Sequence, residues 1–198
     1  MKAIRTLPPG NTKQKMIDAA ITLMRHSGFH GTGINEILKE SGAPKGSMYH
    51  FFPDGKRQIA GEAIAVYAER VLAYMDESLS SAKQPAGKIH ALFSAVAQRL
   101  ERGEFRQSCA AGAASLDLDT DLEVVRLAIA AMFSDCIELI AKHFPMRHAR
   151  RSRSFAGLVL TVIEGAYIRG RAERSTEAVK EAANWLADIA EREASATA

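Results

Sequence analysis

The stretch APKGSMYHFF (Ala43–Phe52) crowds a proline, a glycine, a lysine, a tyrosine, a histidine and two phenylalanines into one short element. A core segment does not carry Lys, Ser and His so close together, and a solvated loop does not carry Met, Phe and Phe. A short amphipathic helix does. Pro44 suits the first position of a helix, where its missing N–H costs nothing. Met48 then lies three residues before Phe51 and four before Phe52, so the three share one face. Lys45, Ser47, Tyr49 and His50 are left on the remaining surface, and Gly46 removes bulk where another molecule can come close.

Upstream, Ser41-Gly42-Ala43 interrupts the chain for only three residues. Before it, Thr32 is placed to cap a short helix with Ile34, Ile37 and Leu38 on its apolar side. A longer helix precedes that one. It is capped by Asn11 or Thr12, carries Met16, Ile17, Ala20, Leu23 and Met24 at helical spacing, and is ended by Ser27-Gly28. Two helices joined by a three-residue Gly-containing turn form a helix-turn-helix. Residues 1–10, without period and ending in Pro-Pro-Gly, read as a mobile arm.

Charge singles out the same end of the chain. Residues 1–60 hold nine Lys/Arg against four Asp/Glu, whereas the remainder is slightly acidic within an overall charge of +3. A basic head on a near-neutral body is the electrostatic footprint of a protein whose head meets a polyanion.

From Lys56 the pattern is long and helical to about Ala82, and Ile89, Leu92, Phe93, Val96 and Leu100 mark a further helix. Cys109–Leu116 is almost all small residues, Leu122–Phe144 is long and apolar, and Ser154–Arg171 and Thr176–Arg192 complete the set. No sustained alternation or Asn-Gly or Asp-Gly hairpin indicates a strand. The expected fold is all-α with about nine helices. Two domains are expected: a helix-turn-helix head over residues 1–55 and a helical body over 56–198. No apolar run approaches the ~18 residues of a membrane span. Two cysteines are too few for a disulfide framework, so a cytoplasmic, reducing setting is expected.

The residues of the head resemble a known family. GTGINEILKESGAPKGSMYHFF (31–52) followed by Lys56 resembles the DNA-binding head of the TetR family of transcriptional regulators. FPDGKRQIAGEAI (52–64) resembles the LmrA/YxaF-like branch, with Gly55 as the extra glycine before the lysine. The strong match covers about residues 12–65. The resemblance implies a helix-turn-helix repressor, dimeric, released from a near-palindromic operator by a small molecule. Carried over position by position, it implies that Thr32 and Gly33 touch phosphate through a hydroxyl and a backbone N–H. It also implies that Lys45, Gly46, Ser47, Tyr49 and His50 face the major groove and that Lys56 holds a flanking phosphate. Pro44 stands where many members have Ser or Thr, which removes one hydroxyl contact. The arm residues Lys2 and Arg5 match no motif.

The body is less specific. The run CAAGAASL (109–116) allows either close helix packing or a pocket wall, and the resemblance favours the pocket. Phe93, Val96, Cys109, Gly112, Ala113, Phe133, Ile137 and Tyr167 are the candidate lining for a small apolar or aromatic effector. Phe155, Leu158, Val162, Ala166, Val179, Ala183 and Leu186 on the last two helices are the candidate interface of a homodimer. RHARRSR (147–153) reads as a solvated helix start seeking water or acidic partners. No nucleophile–base constellation, phosphate-cradling loop or metal-ligand spacing is present, so neither catalysis, a cofactor nor a metal is expected. The alternatives are an all-α carrier or enzyme without DNA binding, and a regulator that senses redox state through Cys109 or Cys136.

Overall fold

The computed structural model describes residues 9–195. Among these, nine helices and no strand are found: α1 (Pro9–Ser27), α2 (Ile34–Ser41), α3 (Ser47–Phe51), α4 (Lys56–Ser80), α5 (Pro85–Arg102), α6 (Ala110–Ser115), α7 (Glu123–His143), α8 (Ala149–Glu173) and α9 (Glu177–Ser195). The arm residues Lys2 and Arg5 lie outside the described part.

Several boundaries differ from the sequence reading for physical reasons. α1 begins at Pro9, two residues before the expected cap, because proline is well suited to a first helical turn. α2 begins at Ile34 with Gly33, not Thr32, in the capping position. The Thr32 hydroxyl instead turns back and donates to the Gly28 carbonyl at 2.7 Å. α3 starts at Ser47 rather than Pro44; Pro44 opens a preceding turn in which its carbonyl accepts the Ser47 N–H at 2.9 Å. α8 starts five residues before the expected Ser154. Its first-turn arginines find acidic partners: Arg151 pairs with Glu193 and Arg153 with Glu138.

The chain forms two compact units. The first takes in the described residues up to Tyr67 together with Ala110–Ile129. The second takes in Ala68–Cys109 and the described residues from Ala130 onward. Compactness therefore does not follow a boundary at 55/56, because α6 and the start of α7 belong with the helix-turn-helix.

In the first unit Met16, Ile37, Met48, Phe52 and Ile59 have no exposed surface, and each such side chain contributes about 1.5–3 kcal/mol. α1 packs against α2 and against α6. The α6 contact explains part of the small-residue run: Ala110, Ala111 and Ala114 are fully buried. A Cβ on Gly28 would lie 3.2 Å from the Ala113 carbonyl and 2.5 Å from the Asp117 carboxylate, so backbones meet closely there.

In the second unit α5 lies along α9, and α8 packs against both. Gly170 on α8 makes room for Leu100, whose methyl would sit 2.7 Å from a Cβ at that position. Phe155, Ala166, Val179, Ala183 and Leu186 are buried within the single chain, because α5 consumes the apolar stripe of α9. Of the seven candidates only Leu158 is exposed and Val162 half-exposed. Ile168 on α8 and Trp185 on α9, 61% and 70% exposed, complete the free apolar surface of this helix pair.

Candidate nucleic-acid interface

α3 is too short to be stable alone, and its place is set by what it buries. Met48 and the following Phe52 are fully buried, while Phe51 is half-buried with its ring edge-on to His50 at 4.8 Å. With the apolar side fixed, Lys45, Gly46, Tyr49 and His50 are exposed and Ser47 is half-exposed. Tyr49 is 64% exposed, unusual for a tyrosine that has no role outside the fold. Gly46 has φ −68°, open to any residue, and no atom stands within 4 Å of the Cβ position. The free chain does not require glycine there.

The two residues expected to touch phosphate before α2 are committed elsewhere. Thr32 is buried, with its hydroxyl on Gly28. The Gly33 N–H donates to the Glu36 carboxylate at 2.8 Å. A side-chain and a backbone donor that the sequence offers to DNA are thus satisfied within the protein in the free chain.

Lys56 opens α4 beside the helix-turn-helix. Its ammonium lies 4.3 Å from the centre of the Phe29 ring and 3.4 Å from the His30 carbonyl. Burial lowers its pKa below the ordinary lysine value, while the Asp117 and Glu36 carboxylates pull the other way. Beside it, Arg57 donates to the Asp121 carbonyl and Lys13 pairs with Glu62 at 2.8 Å, which ties α4 to the loop before α7 and to α1.

The candidate effector residues divide between the units. Phe93, Val96, Cys109 and Tyr167 are buried in the second unit, with Phe133 and Ile137 half-buried. Gly112 and Ala113 belong to the first unit on α6, so for that half of the run the structure favours close packing. Sequence reasoning also missed polar groups in the second unit. Arg99 stacks 3.9 Å over Tyr74, which is hydrogen-bonded to Tyr167, and burial pushes the Tyr74 hydroxyl up to about 12. The Glu164 carboxyl accepts a hydrogen bond from the Cys109 thiol, and burial holds its pKa above the usual carboxylate range. Burial also pushes the Cys136 thiol up to about 12, with Glu164 and Asp135 adding to the shift. The available signal was a lone acid inside the otherwise apolar run LVLTVIEGAY (158–167).

An open groove of about 700 Å³ lies on the first unit between α4 and the start of α7, with Gly61, Ala65, Val124 and Ala128 among its lining. None of its residues was among the expected effector contacts. Among the described residues no group of three or more His, Cys, Asp and Glu is placed to hold a metal ion. No described helix is long and apolar enough to cross a membrane.

A basic helix-turn-helix whose second helix buries its apolar side and exposes Lys, Tyr and His defines a DNA-binding transcriptional regulator. Family models agree over most of the chain: residues 16–63 match the bacterial regulatory proteins of the tetR family, and 85–185 match the LmrA/YxaF-like C-terminal domain of transcriptional regulators. The chain belongs to the TetR family. It is 31% identical over 169 residues to an uncharacterized HTH-type transcriptional regulator of Mycobacterium tuberculosis, covering 82% of this chain and 85% of that one. It is 37% identical over 95 residues to the uncharacterized regulator YxaF of Bacillus subtilis, 48% of this chain and 50% of the relative. A cysteine mutant of the TetR family regulator CifR, solved with a 26 bp operator duplex, has the same fold. Its TM-score is 0.75 at 18% identity, covering 94% of this chain and 98% of that one.

Proposed function

We propose that this regulator is a homodimeric repressor that binds a near-palindromic operator and is released by a small apolar or aromatic effector. The observation that carries the reading is the division of α3, whose Met48 face is buried while Lys45, Tyr49 and His50 stand free. The operator duplex held by a fold relative, CifR, supports the same use of the head. Lys45, Gly46, Ser47, Tyr49 and His50 read the major groove, Gly46 admitting the DNA closely, and Lys56 leaves Phe29 to meet a phosphate. Thr32 and Gly33 serve the fold rather than the DNA.

Two copies meet across Leu158, Val162 and Ile168 of α8, with Trp185 of α9 beside them. Half-sites one helical turn apart, ~34–36 Å, require such a fixed spacing between two heads. The effector occupies the second unit near Phe93, Val96 and Tyr167, where Glu164, Tyr74 and Cys109 supply polar contacts. Residues 1–55 thus carry recognition and 56–198 carry dimerisation and effector binding, in the cytoplasm. The effector needs only to bind the non-operator state more tightly, by the coupling free energy.

Sedimentation and fluorescence anisotropy test the reading together, using a duplex enriched by the protein from a random-sequence pool. Leu158→Glu should give a helical monomer with affinity for that duplex reduced at least a hundredfold. A wild type that is monomeric when bound to the duplex contradicts the proposal.

A further inference from the structure

The α1–α2 turn is gripped by a residue 87 positions away in the chain. Asp117 follows α6 and accepts the His30 N–H on its carboxylate at 2.9 Å. The same oxygen stands 2.5 Å from where a Gly28 Cβ would lie, and Gly28 has φ +69°, a left-handed conformation that a side chain resists. Two features of Gly28 thus admit Asp117: the turn geometry and the absence of a Cβ. His30 is used at both ends, since its carbonyl accepts from Lys56 at 3.4 Å. Lys56 in turn lies over Phe29, the residue between Gly28 and His30. The Asp117 charge also acts on Lys56 directly.

The turn sets the angle between α1 and α2, and α3 follows α2 after a few residues. We infer that Asp117 is a positioning residue for DNA recognition: through His30 it holds the α1–α2 turn and the Lys56 cation in the arrangement that lets α3 enter a groove. Asp117 does not itself touch DNA. A carboxylate near a polyanion would repel it, so its value for binding lies in the hydrogen bond it accepts.

The hydrogen bond and the charge separate in two substitutions. Asp117→Asn keeps an oxygen for the His30 N–H and removes the charge, while Asp117→Ala removes both. Gly28→Ala leaves the carboxylate chemically intact but crowds it and the Ala113 carbonyl and strains the left-handed turn. The probe is a duplex enriched by wild-type protein from a random-sequence pool, with an unselected random duplex as the reference, at a temperature where circular dichroism shows every variant folded. Asp117→Ala and Gly28→Ala should lose at least tenfold in affinity for the enriched duplex and most of the preference over random DNA. Asp117→Asn should stay within threefold of wild type. The inference is overturned if Asp117→Ala binds the enriched duplex as wild type does. It is overturned equally if Asp117→Asn is as weak as Asp117→Ala, which would assign the effect to charge rather than to the accepted hydrogen bond.

Discussion

The two compact units handle polar groups in opposite ways. The first buries Met48, Phe52, Ile37 and Ile59 completely and leaves Lys45, Tyr49 and His50 facing outward. The second draws polar groups inward, so that Tyr74 stacks under Arg99 and Glu164 holds a raised pKa next to Cys109. An outward lysine beside hydrogen-bonding side chains suits a large polyanion whose counterions are released on binding. Inward polar groups such as Tyr74, Glu164 and Cys109 suit a small ligand that must shed water to enter. The contrast supports the proposed division of DNA recognition and effector binding between the units, and it can be broken at several points.

The largest effect is expected where the head's apolar anchor is removed. Phe52→Ala should destabilise the first unit by about 3–5 kcal/mol, because a fully buried ring leaves a cavity. Tyr49→Ala, three residues earlier but exposed, should change stability by less than about 0.5 kcal/mol. It should nevertheless weaken DNA binding. Denaturant unfolding of both variants checks the pair; equal losses of stability would show that α3 does not have two distinct sides.

A smaller loss is expected from overfilling the α1–α6 contact. Ala114 has no exposed surface, so Ala114→Leu should cost about 1–3 kcal/mol, read as a lowered denaturation midpoint. If this part of the run were an open pocket wall, the larger side chain would be accommodated without loss.

Smaller still is the pH dependence introduced by Glu164. Its folded-state pKa is raised, so the folded chain holds that proton more tightly than the unfolded chain. Stability from this group is therefore present below the unfolded carboxylate pKa and is lost as pH rises through the folded one. Glu164→Gln should remove that decline and be the more stable protein at neutral pH. Thermal melts across the range above the ordinary carboxylate pKa test this, and parallel curves for the two proteins contradict it. Cys136, with its thiol pushed up to about 12, should stay unmodified by iodoacetamide at neutral pH in the folded protein, which argues against a ready thiolate sensor.

The head was readable because its signals are local. Met48 and Phe52 four residues apart, Gly42 after α2 and the Gly55-Lys56 start of α4 each act within one turn of helix. Thr32 was misjudged because a threonine before a helix looks the same whether its hydroxyl faces forward to a backbone N–H or, as here, back to the Gly28 carbonyl. Distance in the chain hid the rest. Nothing near Asp117 announces His30, and nothing in α9 tells whether α5 or a second copy covers Val179, Ala183 and Leu186. The small-residue run was ambiguous because Cys109 belongs to one compact unit and the alanines after it to the other.

The central claim is that the exposed side of α3 reads DNA. Its most direct test is the salt dependence of binding, measured by anisotropy on enriched and random duplexes, for wild type, Lys45→Ala and His50→Ala. The account predicts that wild-type affinity falls steeply with salt. Lys45→Ala should weaken both duplexes alike and lower the log–log slope by about one unit per half-site. His50→Ala should instead reduce the preference for the enriched duplex by about 1–3 kcal/mol, with the slope unchanged. Binding that is indifferent to salt, or that neither substitution alters, would contradict the claim.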